Sequence, residues 1–373
     1  MHYDESTGRA GNEVDPWFLR TGRVGVEGSP VMKAISCIKP FEFQLVDIEK
    51  PAKRAGEALI HVRRVGVCGT DIHAFHGNQP YFTYPRILGH EIAGVIEELD
   101  DGVDGFFVGD QVAVVPYMHC GKCIACRNGK PNCCTDMRVL GVHIDGAMAE
   151  WISVPVTHLV KTNDLTLDQS AIIEPLSIGA HAVRRSGITK NDSVLVIGGG
   201  PIGLGVMAFA KRKGANVVAM DTNVERLEFC RTWAHINASV SAFDQPMEAI
   251  TAQITANFGG EYPTAVFDAT GSVGSMNSAL QYVAHGGKLI FVGLVKENVT
   301  FPDPEFHKRE TTLLSSRNAT REDFQEVHKA MVEGFIDDTK YITNRIAFAD
   351  LADEFERITS PEAKAIKVIV DLI

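Results

Sequence analysis

Val194-Leu-Val-Ile-Gly198-Gly-Gly200-Pro201-Ile202-Gly203 is the stretch that decides how this chain folds. An apolar run ending in Gly-x-Gly-x-x-Gly reads as a buried parallel strand that turns tightly into a helix. Gly198 permits the turn, Gly200 lets backbone approach a pyrophosphate, and Gly203 allows close packing of helix on strand. The helix start at Pro201-Ile202 offers free N–H groups and the positive end of its dipole to phosphate oxygens. Such turns are common in loops, so the surroundings decide. Here an amphipathic helix runs to Gly214, and a second strand, Val217-Val-Ala-Met-Asp221, follows. Asp221 stands about 20 residues beyond the glycines, where an acid accepts hydrogen bonds from the adenosine ribose and repels a 2′-phosphate. The expectation is a dinucleotide site that favours NAD over NADP. Asp268-Ala-Thr-Gly271 and Gly293-Leu294, at later strand ends, should carry the rest of the nucleotide, with Arg226 as a further contact beyond Asp221.

Working outward, strands at Val194–Ile197, Val217–Met220, Ala265–Asp268 and Lys288–Val292 alternate with helical text. A helix-like Ser275–Ala284 is closed by Gly286-Gly287. Alternation of this kind implies right-handed crossovers and a parallel sheet covered on both faces. Upstream, Met32 to about Pro155 is dense in Val, Ile, Gly and Pro with short alternating runs such as Ala58-Leu-Ile-His-Val, which suggests an irregular antiparallel, barrel-like domain. The texture turns helical from Ala171 to Arg185. Downstream, a helical pattern at Glu322–Glu333 is followed by Ile346–Phe348, another helix near Leu351–Ile358 and a final strand Ala365–Asp371. A closing strand of this kind returns to the first domain, and a ligand belongs in the cleft between the two.

A chain of 373 residues is long enough for two substantial cores, and 45% hydrophobic with 22% charged residues describes a soluble globular protein. No apolar run reaches bilayer length, which argues against a membrane partner. A formal net charge of −11 argues against nucleic acid, which needs a basic face. Met1 to Val31 is polar and lacks an apolar h-region. It reads as a flexible extension rather than a secretory signal, with Met32 available as an alternative start. The expected location is therefore cytoplasmic, where disulfides are rare, and the eight cysteines need another explanation.

Cys120-x-x-Cys123-x-x-Cys126-x7-Cys134 sets four thiols in one Gly-containing loop. Tetrahedral zinc prefers such ligands, and a closed four-sulfur site leaves no open position, so the expected role is structural. Cys133 fits the last place equally well on spacing, and an iron–sulfur cluster is the alternative metal. A second set is scattered: Cys68 in Cys68-Gly-Thr70-Asp71-x-His73, His90-Glu91 after Gly89, and Glu174 before Pro175. A thiolate, an imidazole and a carboxylate with water make an open site of the catalytic kind. Sequence spacing alone does not join them.

Taken together and in this order, these motifs resemble the zinc-dependent medium-chain dehydrogenases from Met32 onward. The resemblance implies a GroES-like β-barrel catalytic domain over 32–185, to which 319–373 returns, and a Rossmann NAD-binding domain over 186–318. It implies a catalytic zinc on Cys68, His90 and Glu91, with Glu174 as direct or water-bridged partner. It also implies a proton path through Thr70 and His73, with Asp71 orienting a ligand. Relatives acting on simple alcohols carry a cysteine where this chain has Glu174, which points to the polyol, sugar-acid and threonine branch. Within it, Gly77-Asn-Gln-Pro, Gly141-Val-His143-Ile-Asp-Gly and Ser316-Arg317-Asn318 look most like the bacterial sugar-acid enzymes of the L-galactonate 5-dehydrogenase kind. The implied reaction is oxidation of a secondary alcohol: zinc lowers the pKa of the hydroxyl and hydride passes to NAD. A neutral polyol such as sorbitol, or L-threonine, is the alternative substrate, and a non-catalytic NAD-binding zinc protein the alternative class. A substrate carboxylate requires a cation, for which Arg317 is preferred, with His143, Arg86, Lys308 and Arg309 as further candidates. Homo-oligomers, tetramers or dimers, are usual in that branch.

Overall fold

The protein is described here by a computed structural model covering residues 30–79 and 82–372; the expected extension at 1–31 lies outside these apart from Pro30 and Val31. Val31 already belongs to the first strand, Val31–Lys39, where it pairs with Glu49.

The fingerprint stretch is the centre of a six-stranded, all-parallel sheet. Its order is 238–241, 216–221, 193–197, 265–268, 288–291, 312–315, so Ser193–Ile197 and Ala265–Asp268 are adjacent although 67 residues of crossover chain separate them. Both neighbours of Ser193–Ile197 are apolar and buried, which is why its own run is continuous rather than alternating. The helix Pro201–Arg212 leaves the sheet at Gly200, with proline at its first position. The expected helix at Ser275–Ala284 begins earlier, at Val273 with Ser272 as its cap. It tightens to a 3-10 turn over Ala279–Tyr282.

The second body is built on a seven-stranded sheet running 159–161, 111–114, 91–98, 57–67, 367–371, 342–347, with Trp151–Pro155 also on 57–67. Two of these strands come from the C-terminal end of the chain: Lys367–Asp371 pairs antiparallel with Glu57–Val67 and parallel with Ile342–Ala347. A three-stranded sheet of Glu42–Glu49, Val31–Lys39 and Arg86–Ile87 covers it, joined by the Ala34–Ala149 bridge.

Between the two bodies lies the helix Ile173–Ser186. It crosses Pro201–Arg212 so closely that a Cβ on Gly179 would stand 2.3 Å from the backbone of Gly205. Glu174 sits at the first turn of this helix, so the element that grips the dinucleotide helix also carries a candidate metal ligand.

Candidate active site

Cys68 caps the short helix Gly69–Phe75, and Asp71 organises it. The Cys68 N–H donates to Asp71 Oδ2 (2.8 Å) and the Gly89 N–H to Asp71 Oδ1 (3.2 Å). One fully buried carboxylate thereby binds the two loops that carry Cys68 and His90. The ligand atoms of Cys68, His90 and Glu91 lie within 4.8 Å of one another. Burial works against charge on His90, yet Asp71 and Cys68 hold its imidazole well above the ordinary histidine range. A pocket in which a half-buried thiol, a buried imidazole and buried carboxylates gather is one that a cation stabilises. The donor set fits zinc.

Glu174 reaches the same region. Burial, opposed by His90 and assisted by Glu91, pushes its carboxyl up to about 7, and the buried Tyr117 hydroxyl donates to it. Sequence reading did not find Lys367. Its ammonium is 2% exposed and donates to Glu91 Oε1 (2.6 Å), Glu91 Oε2 (2.8 Å) and the Val67 carbonyl (3.1 Å). Glu91 fits there because residue 66 is glycine: a Cβ would fall 1.9 Å from Glu91 Oε2. Thr70 and His73 follow Cys68 on one turn of helix, Thr70 half-buried and His73 exposed. Among the described residues no hydrogen bond joins them.

The four-cysteine loop closes on itself. Cys123 Sγ lies 3.5 Å from Cys126 Sγ and 3.9 Å from Cys134 Sγ, and all four ligand atoms lie within 4.8 Å. The cysteines are free thiols at these separations, far from the ~2.05 Å of a disulfide. Backbone N–H groups point at the sulfurs: Cys120 and Asp136 at Cys134 (3.3 Å each), and Cys123 at Cys120 (3.4 Å). Donors aimed at sulfur favour thiolates, the form that binds metal. Cys134 is buried in the cluster and Cys133 exposed beside it, which decides between the two.

At the fingerprint, Gly198 has φ +102°, and a Cβ on Gly203 would stand 1.8 Å from the Gly198 carbonyl oxygen. Gly200 is different: a Cβ there would meet nothing within 4 Å. The protein's own packing does not demand a bare backbone at Gly200, whereas a pyrophosphate over the helix start through Pro201 and Ile202 does. Asp221 accepts from Gly199 N–H (2.6 Å) and Asn223 N–H (2.8 Å) at the rim of this turn, with Arg226 exposed on the following helix. Gly271 and Gly293 face each other so closely that a Cβ on Gly293 would be 2.7 Å from Gly271 N, and Leu294 is 76% exposed at the same end. Asp268 is fully buried; it accepts from Thr270 N–H (3.0 Å), Thr270 Oγ1 (2.7 Å) and the Ser275 hydroxyl, so it shapes the loop from beneath.

Of the cationic candidates, Arg309 is spent on the Val283 carbonyl (2.5 Å) and Lys308 faces Glu305 (3.7 Å). Arg86 binds Thr83 Oγ1 (3.0 Å) and Asp145 (3.3 Å), while its buried Nε has no partner. The loop 141–146 lies on the His90 loop, Gly141 and Gly146 against Gly89. Its His143 takes the Val139 N–H on Nδ1 (3.1 Å). Burial and the charges of Arg317 and Arg86 hold His143 below the ordinary histidine range, so it is neutral and its other nitrogen, Nε2, carries the proton.

A barrel-like body and a dinucleotide sheet, with a mixed open donor set beside their junction and a four-sulfur lobe, define a zinc-dependent dehydrogenase. The chain belongs to that family. Residues 54–164 match the alcohol dehydrogenase GroES-like domain and residues 201–333 the zinc-binding dehydrogenase family. Over 339 residues the chain is 44% identical to the L-galactonate-5-dehydrogenase of Escherichia coli strain K12, covering 91% of this chain and 98% of that one. Among solved structures it resembles an alcohol dehydrogenase from E. coli CFT073 complexed with NADH (TM-score 0.85, 31% identity, 92% and 99% covered). It also resembles a zinc-binding dehydrogenase from Sinorhizobium meliloti bound to NADP (TM-score 0.84, 26% identity, 92% and 100% covered). The protein is an oxidoreductase of the alcohol and polyol dehydrogenase kind, and its cofactors are a nicotinamide dinucleotide and zinc. Among the described residues no helix is long and apolar enough to cross a membrane.

Proposed function

We propose that the enzyme oxidises a secondary hydroxyl of an open-chain sugar acid of the L-galactonate type to the keto acid, with NAD as acceptor. The observation that carries this reading is the loop of His143, which packs against the His90 loop and whose imidazole is held low first by burial and then by the charges of Arg317 and Arg86. Arg86 is already paired with Asp145 (3.3 Å), so the exposed Arg317 is the cation assigned to a substrate carboxylate. The 44% identity to an enzyme of that name supports the same substrate class. In this reading 32–185 with 319–373 form the catalytic domain and 186–318 the NAD-binding domain.

Cys68 and His90 would hold the zinc with Glu91 or Glu174, and Cys120, Cys123, Cys126 and Cys134 the structural ion. Bound there, zinc supplies Lewis acidity toward the substrate hydroxyl while the nicotinamide supplies a hydride acceptor. Thr70 accepts the hydroxyl proton as it gives up its own toward His73 across a bridging hydroxyl or water, since among the described residues no hydrogen bond joins the two side chains. The exposed imidazole discharges to water. Tyr117 orients the Glu174 carboxyl, and Asp71 keeps the Cys68 and His90 loops in register. Asp221 receives the ribose hydroxyls, which favours NAD.

Comparing kcat/KM for an aldonate and its matched alditol tests the substrate. A charge-assisted contact of ~2–3 kcal/mol corresponds to a preference on the order of 10²-fold for the acid. A preference for the neutral alcohol would refute the sugar-acid reading. Dialysis against a chelator tests the metal: turnover should vanish with the Cys68-site ion, and activity that outlasts it contradicts the scheme.

A further inference from the structure

Asn132 lies two residues before Cys134, in the 3-10 turn Pro131–Cys133, and is 5% exposed. Its Nδ2 lies 2.9 Å from the Arg317 carbonyl and 3.1 Å from His181 Nε2. A carbonyl only accepts, so the amide must present its NH2 group there, and His181 Nε2 must accept as well. His181 is then neutral, with its proton on Nδ1, which donates to Asp323 Oδ2 (2.8 Å). Arg184 (Nε, 2.7 Å) and the Thr320 N–H (2.8 Å) fix Asp323 in turn. His181 and Asp323 are 6% and 1% exposed, so this relay from Asn132 to Arg184 runs through buried groups.

The segment that carries Arg317 is gripped from both sides. Ser316 N–H donates to the Phe291 carbonyl (2.8 Å), Asn318 has φ +52°, and its Nδ2 lies 3.4 Å from the Asn132 carbonyl. The dinucleotide sheet holds one flank and the four-cysteine lobe the other.

We infer that Asn132 is a positioning residue for substrate: it fastens the four-cysteine lobe to the backbone of Arg317, so that the lobe sets the cleft's affinity for a carboxylate. The inference rests on the proposed role of Arg317. In this arrangement the lobe acts on the active site from outside it. It contributes no group to the reacting atoms, yet it fixes the backbone from which the Arg317 side chain extends.

The test is steady-state kinetics on the holoenzyme for Asn132→Ser, Asn132→Asp, Arg317→Met and the Asn132→Ser/Arg317→Met double variant. Bound metal per chain and Tm are measured alongside. Asn132→Asp and Asn132→Ser should raise KM for the aldonate about tenfold with kcat within about twofold. KM for NAD and for the matched alditol should stay unchanged, as should bound metal. On the Arg317→Met background the serine change should add less than twofold. If the aspartate variant loses metal or fails to fold, the serine variant decides. An aldonate KM that Asn132→Ser leaves alone while Arg317→Met raises it overturns this inference and spares the role of Arg317. If Arg317→Met itself has no effect, both fall. Equal rises for aldonate and alditol, or full additivity in the double variant, also overturn it.

Discussion

Lys367 opens the strand Lys367–Asp371 inside the apolar text Ala365-Ile-Lys367-Val-Ile-Val370, at a place where the chain has no solvent to offer it. A lysine inside such a run is a legible signal that a buried anion waits for it; what the sequence cannot show is that Glu91, 276 positions earlier, is the anion. Replacing Lys367 with Met leaves a fully buried carboxylate without its partner, so Lys367→Met should cost about 3–5 kcal/mol of unfolding free energy by denaturant titration. Asp221 was legible for the opposite reason, since its position follows from local spacing alone. Asp221→Ser with Thr222→Arg should raise the NADP-to-NAD ratio of kcat/KM at least about tenfold; an unchanged ratio would mean the acid does not face the ribose. A third residue-scale effect concerns acid. Burial, with the neighbouring His119, lowers His158 to about 4. The unfolded chain then binds a proton near pH 6.5 that the folded one refuses until about 4, so stability should fall as pH drops through that window. His158→Gln should flatten the fall by up to about 3 kcal/mol, read as pH-dependent midpoint shifts against the parent.

At the scale of elements, the core strands announced themselves and the edges did not. Ser193–Ile197, Asn216–Asp221 and Ala265–Asp268 are buried on both faces along their middles and carry continuous apolar runs there, with polar residues at the strand ends. The sheet's two outer strands, Ala238–Ser241 and Thr312–Ser315, are short and partly polar, because an edge has only one neighbour to satisfy. Neither was recognised from sequence. The helices Met247–Ala256 and Asp303–Lys308 went unread beside them. The helix Ile173–Ser186 was recognised, but its task was not: Gly179 is an unremarkable residue in the text and a point of near backbone contact in the fold. Gly179→Val should force this helix away from Pro201–Arg212 at a cost of about 1–3 kcal/mol. Because the two helices carry Glu174 and the turn proposed to bind phosphate, calorimetry of NAD binding should weaken together with Tm. A variant with lowered Tm and unchanged NAD affinity would separate packing from positioning.

Across the whole molecule, a C-terminal strand completes the N-terminal sheet, and an ion network secures it. Asp371 meets Arg64 (2.8 Å) and Arg345 (3.0 Å), and Arg64 also meets Asp168 (3.1 Å). The parallel sheet has two outer strands, Ala238–Ser241 and Thr312–Ser315, and Leu313 on the second is 36% exposed. Thr312 and Ser316 donate inward, to Gly287 O (3.0 Å) and Phe291 O (2.8 Å), so with the alternation of a strand the Leu313 N–H points outward. Arg185 Nε already donates to the Ser315 carbonyl (2.6 Å), so it is the outward Leu313 N–H that can template a second strand, and a copy of the same chain brings one with the same spacing. We expect the protein to associate through this edge by a two-fold axis, extending the sheet across two subunits. Leu313→Pro removes only the outward donor, leaving the inward bonds of Thr312 and Leu314 in place. Sedimentation should therefore show a smaller species with near-native circular dichroism. A parent that sediments as a monomer, or a proline variant that keeps the parent's mass, would place any association on another face.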